Sequence, residues 1–397
     1  MKRSVNSSSE TAFALLLGFL FLIDVSIAAC YILGTIILAL FLLHLLRGGR
    51  LPTLPSYNWF FAAYIVFTLL ATVFSLDRAA SIRDNKELLI FLLIPIYHWL
   101  LDSWKRVRIA LWVLLASAVF SSLAGIFSVW SRGIELNDRL TGFTSHWMTY
   151  AGLLMLPFIF FIVRLVLRHD NRREAAVVFL ALVAMLAAIA FSLTRNVWLG
   201  IAFSLALFLL FFRPGYFMAL APLLLVLVLL APAAVKSRVL SIVDLQDRSN
   251  RDRIYMAWSG WKIFQDRPWT GVGSHNIEKA ILGDEARYRH PDAEQVNLHL
   301  HNNFLQILAE RGLFALASFV LACLFILLQV LKRLKEQKGE ARALAAGVLF
   351  AFIGFLVAGL FEYNFGDSEI KFMLFFFISL PFLALPGEAH APTEPLR

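Results

Sequence analysis

Apolar residues recur along the chain in runs of about 17–25, separated by short charged or Gly- and Pro-containing breaks. That is the length a helix needs to cross roughly 30 Å of hydrocarbon. Twelve such runs can be drawn, at approximately 11–29, 31–46, 57–76, 88–102, 106–130, 148–167, 175–193, 197–212, 216–235, 313–332, 343–361 and 371–386. The pattern predicts an all-α integral membrane protein with about twelve transmembrane helices. It divides into helices one to nine over 1–235, a polar segment over 236–312, helices ten to twelve over 313–386, and a tail over 387–397 expected to be disordered.

The polar segment is the exception in an otherwise apolar chain. Within it, residues 252–266 place Ile254, Trp258, Trp261 and Phe264 at helical spacing, predicting an amphipathic helix in the interface, where tryptophan is favoured. Arg267-Pro268 ends that helix, and Gly271-Val272-Gly273 predicts a tight turn. A short helix over 304–310 is expected to be capped by Asn302 or Asn303 and stopped by Gly312.

Composition removes the soluble alternative: 60% of the 397 residues are hydrophobic and the mean hydropathy is +0.74, against roughly 45–50% apolar residues in globular chains. Cys30 and Cys323 both lie in apolar runs, so neither a disulfide framework nor a cysteine metal site is expected. Lys2-Arg3, an apolar stretch and Ile27-Ala28-Ala29-Cys30 imitate a lipoprotein export signal. Asp24 interrupts that stretch and a second run follows at once, so an uncleaved first helix is the expectation.

The formal charge of +9 sits at helix ends rather than in a soluble basic patch, and nucleic acid is not expected as a partner. With the N-terminus in the cytoplasm, Arg47, Arg50, Lys105, Arg106, Arg108, Arg168, Arg172, Arg173, Arg213, Lys332, Arg333, Lys335, Lys338 and Arg342 all face the cytoplasm. The opposite short loops hold only Arg78, Arg83, Lys86, Arg132, Arg139, Arg195 and Lys371. This bias returns the C-terminus to the cytoplasm and places 236–311 outside.

Candidate chemistry concentrates on that outer side. Arg195, bracketed by the apolar runs on either side, either reaches lipid phosphates or partners an anionic substrate group such as a diphosphate. Arg248, Arg251 and Arg253 form the densest outer cluster of cations, yet 236–311 holds eleven Lys and Arg against ten Asp and Glu. Anion binding there must be local rather than a broad positive field, and a solvated charge run is the competing reading. His299 and His301, with His275 and His290 upstream, suit either a zinc site or, for one histidine, a general base. Glu362, Asn364, Asp367 and Glu369 can orient a sugar or the base, or form an ordinary acidic loop. Walker, dinucleotide and metal-nucleotide motifs are absent, so an outward-facing site would need a preactivated, lipid-borne donor.

Several motifs together resemble the O-antigen ligase and polymerase superfamily of bacterial polysaccharide enzymes. They are Arg139-Leu140-Thr141-Gly142-Phe143, Ser192-Leu193-Thr194-Arg195, Arg253-Ile254-Tyr255-Met256-Ala257-Trp258, Asp266-Arg267-Pro268-Trp269-Thr270-Gly271-Val272-Gly273, and His301-Asn302 followed by nine residues and Gly312. The ligase pattern ends in a second glycine, where this chain has Ala315. The resemblance implies an enzyme of the bacterial inner membrane that moves a glycan from undecaprenyl diphosphate to an acceptor hydroxyl, in ligases a sugar of lipid A–core, on the periplasmic face. It implies His301 as general base, Arg195 and Arg253 stabilising the diphosphate leaving group, and inversion without metal or other cofactor. Arg139, Arg248, Arg251, His299, Asn302 and Glu362 are the residues expected to bind substrate. The competing expectations are a polymerase of the same superfamily and a transporter without catalysis; the absence of duplicated halves counts against the last.

Overall fold

The computed structural model describes residues 2–130, 139–168 and 171–385; Arg132 and the tail 387–397 fall outside them. Among the described residues there is helix and no strand. The first half runs α1 (Lys2–Leu22), α2 (Ile27–Leu46), α3 (Tyr57–Val73), α4 (Arg78–Asp84), a 3₁₀ stretch Asn85–Leu92 leading into α5 (Leu93–Leu100), α6 (Trp104–Trp130), α7 (Trp147–Leu167), α8 (Arg172–Phe191), α9 (Arg195–Phe212) and α10 (Pro214–Leu230). The polar segment folds as α11 (Ala233–Leu240), α12 (Arg248–Asp266), α13 (Ile277–Gly283) and α14 (Glu285–Tyr288). It is followed by α15 (Asn303–Glu336), α16 (Gly339–Ala358) and α17 (Ser368–Ser379).

By length and composition, seven of the described helices can cross a membrane: α2, α6, α7, α8, α9, α15 and α16. This makes the chain an integral membrane protein and corrects the expected helix lengths. The run 88–102 is not one helix but a 3₁₀ stretch joined to the eight-residue α5. Pro95, which has no N–H to donate, sits in the first turn of α5, where that loss is tolerated. The run 371–386 is similarly shortened to the twelve-residue α17 and a 3₁₀ turn at Leu380–Phe382, with Pro381 inside that turn.

α7 and α16 are the most enclosed of the long helices. Small residues let their neighbours come close: a Cβ on Gly200 of α9 would lie 2.7 Å from the Gly354 carbonyl of α16. One continuous apolar core runs through these helices. A second, small core lies over one end of the bundle, where Met256 and Ile263 of α12 pack with Val272, Ile277, Ile281, Leu300 and Ala309.

α12 buries Met256, Ser259, Gly260 and Ile263, a face rotated from the stripe expected to define it. Ile254 and Trp261 of that stripe are exposed.

α15 is split at Gly312, whose φ of 79° and ψ of −178° break the helix into 303–311 and 313–336. The stop expected at this glycine is therefore present, inside a longer element. Backbone braiding explains it. Val272 and Gly273 donate to the carbonyls of Ala309 and Glu310, at 3.0 and 2.8 Å, and Leu313 donates to Pro268 at 2.8 Å. A side chain on Gly312 would collide with the Trp269 carbonyl.

Candidate functional site

The starts of α7, α9, α15 and α17 and the end of α16 meet beneath the small outer core, and the polar side chains they bring together form the site. Its centre is a histidine at a helix cap. Asn302 caps α15 by accepting from the Leu305 N–H at 2.9 Å, and its amide donates to the Leu360 carbonyl at 2.9 Å. The next residue, Asn303, is fully buried; its amide donates to Asn364 at 2.6 Å and its carbonyl oxygen accepts from the Phe365 N–H at 2.9 Å. These bonds lock the start of α15 against the loop after α16. His301 Nδ1 then lies 2.7 Å from Glu362 Oε2.

His301 adopts φ = 48°, a left-handed conformation that costs a non-glycine residue about 1 kcal/mol or more. Leu193 and His275 are the other described non-glycine residues with positive φ, at 53° and 60°. All three border the same site: His275 and His301 line its cavity, and the Leu193 carbonyl accepts from Arg238 at 3.3 Å.

On one side of the histidine is a group of guanidiniums. Arg195, the first residue of α9, is buried; it donates to the Ser241 carbonyl and hydroxyl at 2.7 and 2.9 Å and pairs with Asp247 at 2.9 Å. Asp247 also caps α12 and lies 4.0 Å from Arg238. Arg253 donates to the Phe361 carbonyl at 3.0 Å and to Ser249, which ties α12 to the loop that carries Glu362. Arg139 lies 4.6 Å above the Trp147 ring.

The crowding has an electrostatic signature. Burial, with Arg195 and Arg139 nearby, pushes Arg238 down to about 10. Burial alone would raise the Glu362 carboxyl, but the hydrogen bond and charge of His301, with Arg253 beside them, more than offset it and hold it below its ordinary value.

His301 and Glu362 also line a cavity of about 650 Å³. Its wall carries His146, His275, His299 and Asp367 and two paired charges: Lys371 with Glu87 at 2.6 Å, and Arg311 with Glu310 and Asp84. Burial, more than the opposing pull of Glu362, lowers His299 and His146 below the usual histidine range. A pocket lined this way offers hydrogen bonds to a hydroxyl-rich ligand rather than an apolar slot.

Of the expected site residues, His301, His299, Glu362, Asn302, Arg195, Arg253 and Arg139 are gathered here. The arginines at 248–253 do not act as one cluster: Arg248 pairs with Glu294 at 3.0 Å on the exposed surface. Arg251 has a buried Nε without a hydrogen-bond partner among the described residues. His290 stacks on Tyr255 at 4.3 Å, away from His299 and His301. No group of three His, Cys, Asp or Glu side chains among the described residues is placed to hold a metal ion.

In the sequence Arg238 and Asp247 are only two charges of a nearly neutral segment, although Asp247 stands at a helix-capping position beside Arg248. His146 and the Glu87–Lys371 pair were missed altogether; nothing local signals a contact across such a separation.

Residues 180–320 match the O-antigen ligase family. The chain is also similar to a protein of Rickettsia conorii provisionally named a polysaccharide ligase, with 25% identity over 55% of this chain and 53% of the relative. The match thus spans about half the length of that relative. Both findings support the O-antigen ligase superfamily, and the stretch 180–320 contains Arg195, Arg253 and His301.

Proposed function

We propose that the chain is a membrane glycosyltransferase that moves a glycan from undecaprenyl diphosphate to a sugar hydroxyl of lipid A–core, at the periplasmic face of the bacterial inner membrane. The observation that carries this reading is the His301–Glu362 contact, which lines a polar cavity and whose loop is held by Arg253. The arginine side suits a diphosphate and the cavity suits the acceptor sugar.

In the proposed step, the Nδ1–H of His301 is held by Glu362, so Nε2 is free to accept a proton. The acceptor hydroxyl gives that proton to Nε2 as its oxygen forms a bond to the anomeric carbon. The bond from that carbon to the diphosphate oxygen breaks, and the electron pair leaves with the diphosphate. Arg195 and Arg253, with Arg139 and Arg238 around them, stabilise the charge that grows on the leaving group. Attack opposite the leaving group inverts the centre, and the guanidiniums supply the positive charge without a required metal.

What supports this sidedness is the bias of Lys and Arg along the sequence, which puts both termini in the cytoplasm and 236–311 outside. Ala315, standing where the ligase pattern has glycine, favours the second reading, a polymerase of the same superfamily. Complementation separates the two. In a strain lacking its ligase, the chain is expected to restore a polymer ladder on lipid A–core; lengthened glycans on the carrier in a strain lacking its polymerase, with no ladder in the first, would select the second reading.

A further inference from the structure

Tyr363 follows Glu362 in the loop after α16 and lines the same cavity as His301. Its backbone N–H donates to Glu362 Oε1 at 3.1 Å, the carboxylate oxygen that His301 leaves free. The residue is half-buried, so it both braces the partner of the base and adds a phenol to the cavity wall.

The charged groups around this phenol satisfy one another. Arg311, the last residue before the break in α15, donates from Nη1 to Glu310 at 2.5 Å and from Nη2 to Asp84 at 3.3 Å. The other oxygen of Glu310 accepts from the His275 N–H at 2.8 Å, and Lys371 is matched by Glu87. Arg311 Nη1 also donates to Tyr363 Oη at 3.2 Å. A guanidinium has no acceptor atom, so the phenol must accept in this bond and its own proton is left over. Tyr363 Oη makes no other hydrogen bond among the described residues. A hydroxyl that accepts from a cation is polarised into a stronger donor. In this half-buried place it needs an acceptor from outside the protein. Asp84, Glu87 and Glu310 in the same wall repel a phosphate or a carboxylate, which leaves an uncharged oxygen as the fitting partner.

We infer that Tyr363 binds the acceptor: its Oη donates to an oxygen of an uncharged sugar, beside the hydroxyl that His301 deprotonates. This rests on the transfer reaction proposed above. Tyr363 takes no proton from the reacting hydroxyl. The bond it makes is the same in the bound acceptor and in the transition state, so its loss weakens acceptor binding and not the chemical step.

Tyr363→Phe removes one oxygen and leaves Arg311 on Glu310 and Asp84. The purified full chain in detergent is titrated with dephosphorylated core oligosaccharide freed of lipid A, which this variant should bind about tenfold more weakly than the native chain. With donor saturating, its KM for lipid A–core should rise by the same factor, while kcat and the KM for the undecaprenyl-diphosphate-linked glycan stay within about twofold. Hydroxyl-radical footprinting of the native chain should show the oligosaccharide protecting Tyr363, and this carries the test if the variant does not fold. Equal oligosaccharide binding by the two proteins, a loss confined to kcat, or no protection of Tyr363 would overturn the inference. A native chain that binds the oligosaccharide at Tyr363 yet transfers no glycan would uphold Tyr363 as a sugar-binding residue and overturn the transfer reaction instead.

Discussion

His301 Nδ1 and Glu362 Oε2 stand 2.7 Å apart, although 61 residues of chain separate them. The contact is over-determined: Asn302, Asn303 and Arg253 each hold the loop that carries Glu362 or its neighbours. A side chain that orients a base through its second ring nitrogen acts on the tautomer, not on the substrate. Replacing Glu362 by Gln keeps the shape and removes the charge. Transfer by Glu362→Gln is expected to fall by about 10²-fold, the protein remaining folded in the membrane; wild-type turnover would show that the pair is structural only.

The arginines make a second expectation. A point ammonium cannot reproduce the fork with which Arg195 holds Ser241 and Asp247. Arg195→Lys and Arg253→Lys should each lower transfer by about 10²-fold or more. Arg248→Lys, at an exposed pair with Glu294, should change it little. Measured rates of the three variants in the same membranes check the contrast; an equal loss at all three would argue for a diffuse field instead.

Gly312 joins fold to site. Its φ of 79° and the Trp269 carbonyl beside it leave no room for a Cβ, whereas a Cβ on Gly283 meets nothing within 4 Å. Gly312→Ala is therefore expected to destabilise the protein by about 2 kcal/mol or more, and Gly283→Ala by less than about 1 kcal/mol. Thermal unfolding of the two purified variants measures this.

Asp367 supplies a pH dependence with a definite sign. Burial pushes its carboxyl up from 3.8 to about 7, and Glu362 and Glu369 add to the rise while a hydrogen bond from Thr149 and the charge of Lys371 oppose it. The folded state then binds this proton more tightly than the unfolded chain. The stabilisation is fully present below 3.8 and is lost as pH rises through about 7. Asp367→Asn has no proton to lose, so its Tm relative to the native protein should be higher at pH 8 than at pH 5. A Tm difference that does not change between the two would contradict the assignment.

Much of this arrangement was legible in the sequence, for reasons that differ by element. The long helices follow from apolar run length alone, which is why α6, α7, α8 and α9 fall where expected, whereas α5 and α17 are cut short by local proline chemistry and packing. The cap at Asn302 and the break at Gly312 could be read because capping and positive φ are local requirements. Arg195 and His301 stood out as polar groups in apolar or structured surroundings. Arg238 and His146 did not, because only the fold brings them to the site. The partition of Arg248 from Arg253 was also hidden: five residues on a helix turn the two side chains to different faces.

The most direct test of the central claim is transfer by the purified protein in lipid bilayers, supplied with an undecaprenyl-diphosphate-linked glycan and lipid A–core, with the native chain and His301→Ala compared side by side. The account predicts glycan on lipid A–core and released undecaprenyl diphosphate with the native chain, and neither with His301→Ala. Transfer by His301→Ala at the native rate would contradict it.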